Sequence, residues 1–309
     1  MTRATAPGKL ILFGEHAVVY GQPALAVPVP DLQVCVDITP LDNTRDRIRI
    51  LAPDIDQQGW LDELPEDNPL ARIITRTYEA LAIKPASIQL RITSSIPVAA
   101  GMGSSAAVSI AIVRALAAFA GKSLPPEQQS KLAFDVERIH HGSPSGIDNT
   151  VIAYNQPVWF IRGQQPEPFH IPVALPLVIA DTGIHTPTSE AVAHVRRQFE
   201  QHETATRVIL DQIGNITRQA RVSLNRGDLH SLGSLMNENQ SLLRSLGVSC
   251  PALDKLILTS LEHGALGAKL SGAGLGGNMI ALIHNGPDPF RDALKKAGAS
   301  QVVFTRIQT

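Results

Sequence analysis

The segment Pro97-Val98-Ala99-Ala100-Gly101-Met102-Gly103-Ser104-Ser105-Ala106-Ala107 has the residue types of an anion cradle. Gly101 and Gly103 let backbone approach a ligand through dihedral angles closed to other residues. Two hydroxyls follow, Ser104 and Ser105, and then a strongly helix-forming run. Free N–H groups at a helix start, together with the positive end of its dipole, hold anions, and phosphate is the usual occupant. Taken alone, the segment also fits an ordinary glycine turn with a serine cap. Glu137 and His141, four apart, share one face of an expected helix, and Gly142-Ser143-Pro144-Ser145-Gly146 breaks it before Asp148. Such a turn can swing a second carboxylate back beside the first, one suited to Mg²⁺ and one to accepting a proton. The plainer alternative is a surface glutamate and an aspartate that caps the next element. Lys9 stands before an expected strand, with Glu15-His16 just after Gly14. It is either a solvated surface charge or a group that steadies a transferring phosphoryl.

Other candidates fail on spacing. Gly121-Lys122-Ser123 looks like the end of a Walker A loop, but Leu116 stands where that pattern needs glycine. Gly272-Ala273-Gly274-Leu275-Gly276-Gly277 contains G-x-G-x-x-G, yet Asn278-Met279-Ile280-Ala281-Leu282-Ile283 reads as a strand where a dinucleotide fold requires a helix. Glycines this dense still imply backbone packed against a ligand or another loop. His140-His141 lacks the spacing of zinc ligands.

The elements that must carry these residues are legible from pattern. Leu10–Phe13, Leu25–Val29, Leu32–Ile38, Ile48–Leu51 and Ile88–Ile92 read as strands, with Pro28, Pro30 and Pro40 as breaks. Asn68 caps a helix over Pro69–Leu81. Helices follow over Ser105–Ala120, ended by Gly121, and over Pro126–His141. After a strand at Leu177–Ala180, two or three amphipathic helices fill Glu190–Leu246. A helix over Pro251–His263, strands at Ala268–Leu270 and Met279–Ile283, a helix near Phe290–Lys296 and a strand at Gln301–Arg306 close the chain. Strands and helices mix without strict alternation, so the expected class is α+β. The proline-rich stretch Pro166, Pro168, Pro172, Pro176 suggests a boundary that divides the chain into residues 1–174 and 175–309.

Composition narrows the partners. Over 309 residues, 27 Lys+Arg against 28 Asp+Glu leave a net charge of −1, and no basic run points to nucleic acid or an anionic membrane. An anionic substrate therefore needs a local positive field. Cys35 and Cys250 lie far apart and are expected as reduced thiols in a cytoplasmic protein. No signal peptide fits the start, and Ala106–Ala120, which includes Arg114, is too short to span a bilayer.

Four segments together resemble the galactokinase, homoserine kinase, mevalonate kinase and phosphomevalonate kinase (GHMP) superfamily. Pro7-Gly8-Lys9-Leu10-Ile11-Leu12-Phe13-Gly14-Glu15-His16-Ala17-Val18-Val19-Tyr20-Gly21 is similar to the first motif, and Pro97–Ala107 to the phosphate-binding second. Glu137 through His141-Gly142-Ser143-Pro144-Ser145-Gly146-Ile147-Asp148 resembles the catalytic segment, and Lys269–Gly277 the third motif. The first and catalytic segments take the form seen in the mevalonate kinase branch. The resemblance implies a two-domain fold with its active site in the inter-domain cleft. It implies ATP-dependent phosphorylation of mevalonate at the 5-hydroxyl, in isoprenoid biosynthesis, by a homodimer. Sister GHMP kinases, a 3-hydroxyl kinase and a non-catalytic nucleotide-binding regulator are the alternatives. It also implies roles. Ala99, Ala100, Gly101, Met102, Gly103, Ser104 and Ser105 would cradle ATP, with Ser94 a weaker contact. Ser105 and Glu137 would hold Mg²⁺. Lys9 and Asp148 would act on the reacting hydroxyl, and Glu15, His16 and Thr188 would line the substrate site with them. Ala99, Met102, Leu275 and Asn278 depart from the commoner family residues without removing a charge.

Overall fold

The computed structural model describes residues 1–42, 46–97, 101–141, 145–284 and 286–308, the side chains of residues 139–141 excepted. In chain order the elements begin with strand β1 (Thr2–Phe13), a 3-10 turn (Ala17–Tyr20), and strands β2 (Ala24–Pro40), β3 (Ile48–Ala52) and β4 (Gln57–Trp60). Helix α1 (Pro69–Leu81), strand β5 (Ile88–Ser94) and helices α2 (Ser104–Phe119), α3 (Pro126–His141) and α4 (Ile147–Tyr154) follow. Then come β6 (Val158–Phe160), β7 (Glu167–Pro168), β8 (Leu175–Asp181), α5 (Thr188–Gln201), α6 (Glu203–Arg226), α7 (Leu229–Ser245) and α8 (Pro251–Glu262). Strands β9 (Gly267–Ser271) and β10 (Asn278–Leu282), helix α9 (Asp288–Ala297) and strand β11 (Gln301–Ile307) complete the chain.

Two compact units divide these elements. The first comprises Met1–Lys9, Asp31–Pro97 and Gly103–Asn155; the second comprises Leu10–Pro30, Val98–Met102 and Gln156–Thr309. In the first, the C-terminal half of β2 pairs antiparallel with β5, β5 parallel with β3, and β3 antiparallel with β4. Helices α1 to α4 pack on one another in the same unit. Asn68 starts α1 by accepting hydrogen bonds from the amides of Leu70 and Ala71, with Pro69 in the first turn, where its missing N–H costs nothing. Lys122 donates from Nζ to the carbonyl of Leu81 at 2.5 Å, so the lysine of the false Walker pattern caps a helix end.

In the second unit a four-stranded antiparallel sheet runs β11-β8-β10-β9. Val178, Ala180, Leu270, Met279 and Ala281 from its strands share a core with Leu210, Leu243, Leu253, Leu256, Phe290 and Leu294 from the helices. Every residue of β9 and β10 is buried, which explains their mostly apolar composition and makes Lys269, Ser271 and Asn278 the exceptions.

Two expectations need correction. Pro28 and Pro30 do not interrupt β2: they fall between the β6 ladder at Ala24–Ala26 and the β5 ladder at Val34–Pro40, so a missing N–H breaks neither. The residues after Gly146 form a helix of their own, α4, with Asp148 in its first turn. The Gly142-Ser143-Pro144 part of the expected break lies outside the described residues. No helix among the described residues is long and apolar enough to cross a membrane.

Candidate active site

Helix α2 begins at a glycine rather than a side-chain cap. Gly103 occupies the N-cap position with φ 73°, a left-handed conformation that few other residues accept. A Cβ there would come within 3.0 Å of both Lys9 Cγ and Ile152 Cδ1. The missing side chain thus lets the Lys9 stem and α4 lie against the start of α2. Ser104 is half-buried and Ser105 exposed at this helix end, while Gly101 is exposed and Met102 is buried beneath the loop. Ala99 and Ala100 lie outside the described residues. Ser94, at the end of β5, uses its hydroxyl locally, accepting from the Ile96 amide at 3.1 Å, while its own amide donates to Asp54 at 2.6 Å.

Lys9, buried on β1, places Nζ 3.0 Å from Asp148 Oδ1; its side chain is 4% exposed and that of Asp148 29%. Glu137, on α3, is 7% exposed. Its carboxyl is pushed up to about 8, first by burial and then by the charge of Asp148, with Lys9 pulling the other way. Among the described side chains, Glu137 and Asp148 share the single ammonium of Lys9, and burial keeps Glu137 protonated near pH 7. The His141 side chain lies outside the described residues.

Glu15 and His16 belong to a different cluster. Glu15 accepts from Lys269 Nζ, a hydrogen-bonded ion pair with both side chains fully buried, and from Asn239 Nδ2 at 3.4 Å. Lys269 also donates to the Leu270 carbonyl at 2.6 Å. Burial pushes Glu15 up and Lys269 down, each working against its own charge and opposed by the attraction between them. His16, with φ 59°, donates from Nε2 to the Ala273 carbonyl at 2.8 Å, and burial lowers it to about 4, so the ring is neutral near pH 7. Ser271 exchanges hydrogen bonds with the Ile11 backbone, accepting at 3.2 Å and donating at 2.9 Å. Strand β9 therefore grips β1 and the loop after it at Ile11 and Glu15. Sequence reasoning gave Lys269 no role, although a lysine inside the apolar run Ala268-Lys269-Leu270 was a signal that it needed a buried partner.

The third glycine segment is held by neighbouring loops. A Cβ on Gly274 would lie 2.1 Å from the Val248 carbonyl oxygen, and one on Gly276 2.4 Å from that of Ile184. Leu275, at φ 58°, donates its amide to Val248 O at 2.7 Å and accepts from the Thr186 hydroxyl at 2.8 Å, which fixes a conformation its side chain disfavours. A Cβ on Gly272 would lie 3.9 Å from the Gly101 carbonyl oxygen, an ordinary van der Waals distance. Thr188 is the exposed first residue of α5, in the second unit.

Comparison with known proteins decides the family. Residues 70–156 match the model of the GHMP kinases N-terminal domain, and residues 220–300 that of the GHMP kinases C-terminal domain. The chain belongs to the GHMP kinase family. A mevalonate kinase of Thermococcus sibiricus is 39% identical over 97% of this chain and 94% of its own. The crystal structure of L. major mevalonate kinase in complex with R-mevalonate is similar with a TM-score of 0.83 at 29% identity, covering 100% of this chain and 96% of that one. The Methanococcus jannaschii mevalonate kinase gives a TM-score of 0.85 at 27% identity, covering 99% and 98%. The two-domain α+β architecture is thus that of GHMP kinases, and membership implies use of ATP.

Proposed function

We propose that this GHMP kinase transfers the terminal phosphoryl group of ATP to the 5-hydroxyl of (R)-mevalonate, the step the mevalonate pathway to isoprenoids requires. The observation that carries this reading is the Lys9–Asp148 pair at 3.0 Å, packed against Gly103 at the start of α2. Phosphoryl transfer asks for alignment and charge balance more than for covalent chemistry by the protein. The amides at the start of α2, with Gly101, Gly103, Ser104 and Ser105, bind nucleotide phosphate through free N–H groups and the helix dipole; Ala99 and Ala100 complete that loop in the proposal. Asp148 orients the alcohol and accepts its proton, while the adjacent Lys9 ammonium offsets the negative charge that develops on the oxygen. Glu15, His16 and Thr188 are proposed on the substrate side, with Glu15 acting through the loop it holds rather than through a free carboxylate.

A divalent cation fits at Glu137, whose carboxyl is held protonated first by burial and then by the charge of Asp148, so that a cation bound there would favour its ionised form. Mg²⁺ needs only one or two protein carboxylates, because the nucleotide's own phosphates and water supply the rest of its ligands. Glu137 and Ser105 would hold it, and when bound it neutralises phosphate charge. Family resemblance supports a homodimer. Two partly buried free cysteines, Cys35 and Cys250, support a reducing, cytoplasmic setting. The proposal keeps the division into an N-terminal half through residue 174, carrying the phosphate loop and carboxylates, and a C-terminal half from 175 carrying the third motif.

The test is ADP release from ATP across mevalonate, phosphomevalonate, homoserine and galactose, with the phosphorylated position read by NMR. Turnover is expected with mevalonate, with phosphate on the 5-hydroxyl. Turnover confined to a sister substrate, or phosphate on the 3-hydroxyl, overturns the substrate assignment.

A further inference from the structure

Helix α2 is nearly all apolar, and Arg114 is the one charged residue in it. Its guanidinium is partly buried, and none of its hydrogen-bond partners among the described residues is a carboxylate. Nε donates to Gln129 Oε1 at 2.9 Å and Nη1 to the Thr5 carbonyl at 2.9 Å. Nη2 donates to the carbonyls of Ile152 at 3.1 Å and Ala153 at 2.9 Å. The last two are in the final turn of α4, where carbonyls have no partner within the helix and a positive charge suits the dipole. Burial among neutral acceptors lowers the guanidinium's affinity for its proton, yet an arginine stays charged.

Each partner sits on an element that carries a residue of the site. Thr5 is on β1, four residues before Lys9; Ile152 is on α4, four after Asp148; Gln129 is on α3 with Glu137; and Arg114 itself is on α2, which begins at Ser104. Arg114 lies nine residues beyond Ser105, about 13 Å along the helix, so it does not reach a nucleotide held at the helix start. A planar fork with donors at fixed angles can hold three backbone carbonyls and an amide at once; a lysine ammonium on a flexible stem cannot hold the same set.

We propose that Arg114 is a positioning residue for phosphoryl transfer: by tying β1, α3 and α4 to α2 it sets the register that brings Lys9 to Asp148 beside the phosphate loop. This inference rests on the site assignment above. A displacement of about 1 Å in a reacting group costs on the order of 100-fold in rate, so a modest slip of α4 or β1 would be visible in kcat.

The experiment is a double-mutant cycle between Arg114→Lys and Asp148→Asn in the full chain. We expect Arg114→Lys to lower kcat by about 10- to 100-fold while KM for ATP stays within about 3-fold. In the Asp148→Asn background the same change is expected to have little further effect, because the group it positions is already disabled. If Arg114→Lys melts earlier but keeps wild-type kcat below its melting temperature, Arg114 serves only the fold and the proposal fails. It fails also if the two losses multiply in full. Should Asp148→Asn alone leave kcat unchanged, the site assignment falls first, and the cycle reports that separately. If Arg114→Lys does not fold, Gln129→Met removes one anchor of the fork and runs through the same cycle, with a smaller non-additive loss expected and a fully additive one overturning the idea.

Discussion

Lysine meets carboxylate twice in this chain, with opposite consequences. Lys269 and Glu15 are sealed together, with Asn239 beside them, and the charges balance one to one. Lys9 meets Asp148 at a carboxylate that is 29% exposed, with the buried Glu137 carboxyl nearby. In the first arrangement the ammonium and both carboxylate oxygens are engaged within the protein, and the charged groups are sealed from solvent. Its use is to pin the loop after β1 to β9. The second leaves a partly exposed carboxylate beside a buried, protonated carboxyl, the groups to which the proposed function gives the alcohol and the cation. The motif residues alike in chemistry thus divide into a fastener and the pair proposed as the reaction centre, and the depth of burial separates them.

The comparison can be broken most directly at Asp148. Asp148→Asn keeps size and most packing but removes the proton acceptor, so kcat is expected to fall by about 10²- to 10⁴-fold with ATP binding largely retained. An unchanged kcat in steady-state assays would place Asp148 among the fasteners. Next in size is the sealed pair. Lys269→Met strands Glu15 in the interior and is expected to cost about 3–5 kcal/mol in denaturant unfolding. Glu15→Gln combined with Lys269→Met removes both charges, keeps an acceptor for Asn239, and should recover most of that loss. If the double variant is no more stable than the single, the pair is not balanced in the way described.

The smallest effect is a tilt of stability with pH. The folded carboxyl of Glu137 sits at about 8 against 4.5 for the free group, so the folded state holds a proton that the unfolded state has released between those values. Stability from this group is complete below about pH 4.5 and is lost as pH rises through 8, with a slope of at most about 1.4 kcal/mol per pH unit. Melting of the nucleotide-free protein from pH 5 to 8.5 should show that decline. Glu137→Gln should flatten it, as should saturating MgATP, because a cation then balances the carboxylate. A slope identical in Glu137→Gln would show that Glu137 is not the buried carboxyl that titrates there.

Much of the framework was legible in the sequence because its causes are local. Asn68-Pro69 marks the start of α1, and Pro126 the start of α3, to the residue. Gly272–Gly277 was recognisable as something other than a dinucleotide loop, because the residues after it have the composition of a strand, and β10 occupies them. Its glycines do pack against loops, at Val248 and Ile184. Helix α4 went unread, since eight residues after a proline-containing turn show too little periodicity to declare themselves. The site residues were nameable mainly through family likeness. Their spacing alone also fitted a surface glutamate and a capping aspartate.

What the sequence determined by itself was where helices start, where backbone must turn or come close, and the order of the four motifs. Those depend on dihedral freedom, capping and period, which act over a few residues. Which lysine faces which carboxylate was decided only by the tertiary structure: Glu15 and Lys269 are 254 positions apart, and Lys9 and Asp148 belong to β1 and α4. The state of Glu137 was decided there too. A carboxyl's charge depends on how much water and how many neighbouring charges remain around it after packing, and only the folded chain brings those together.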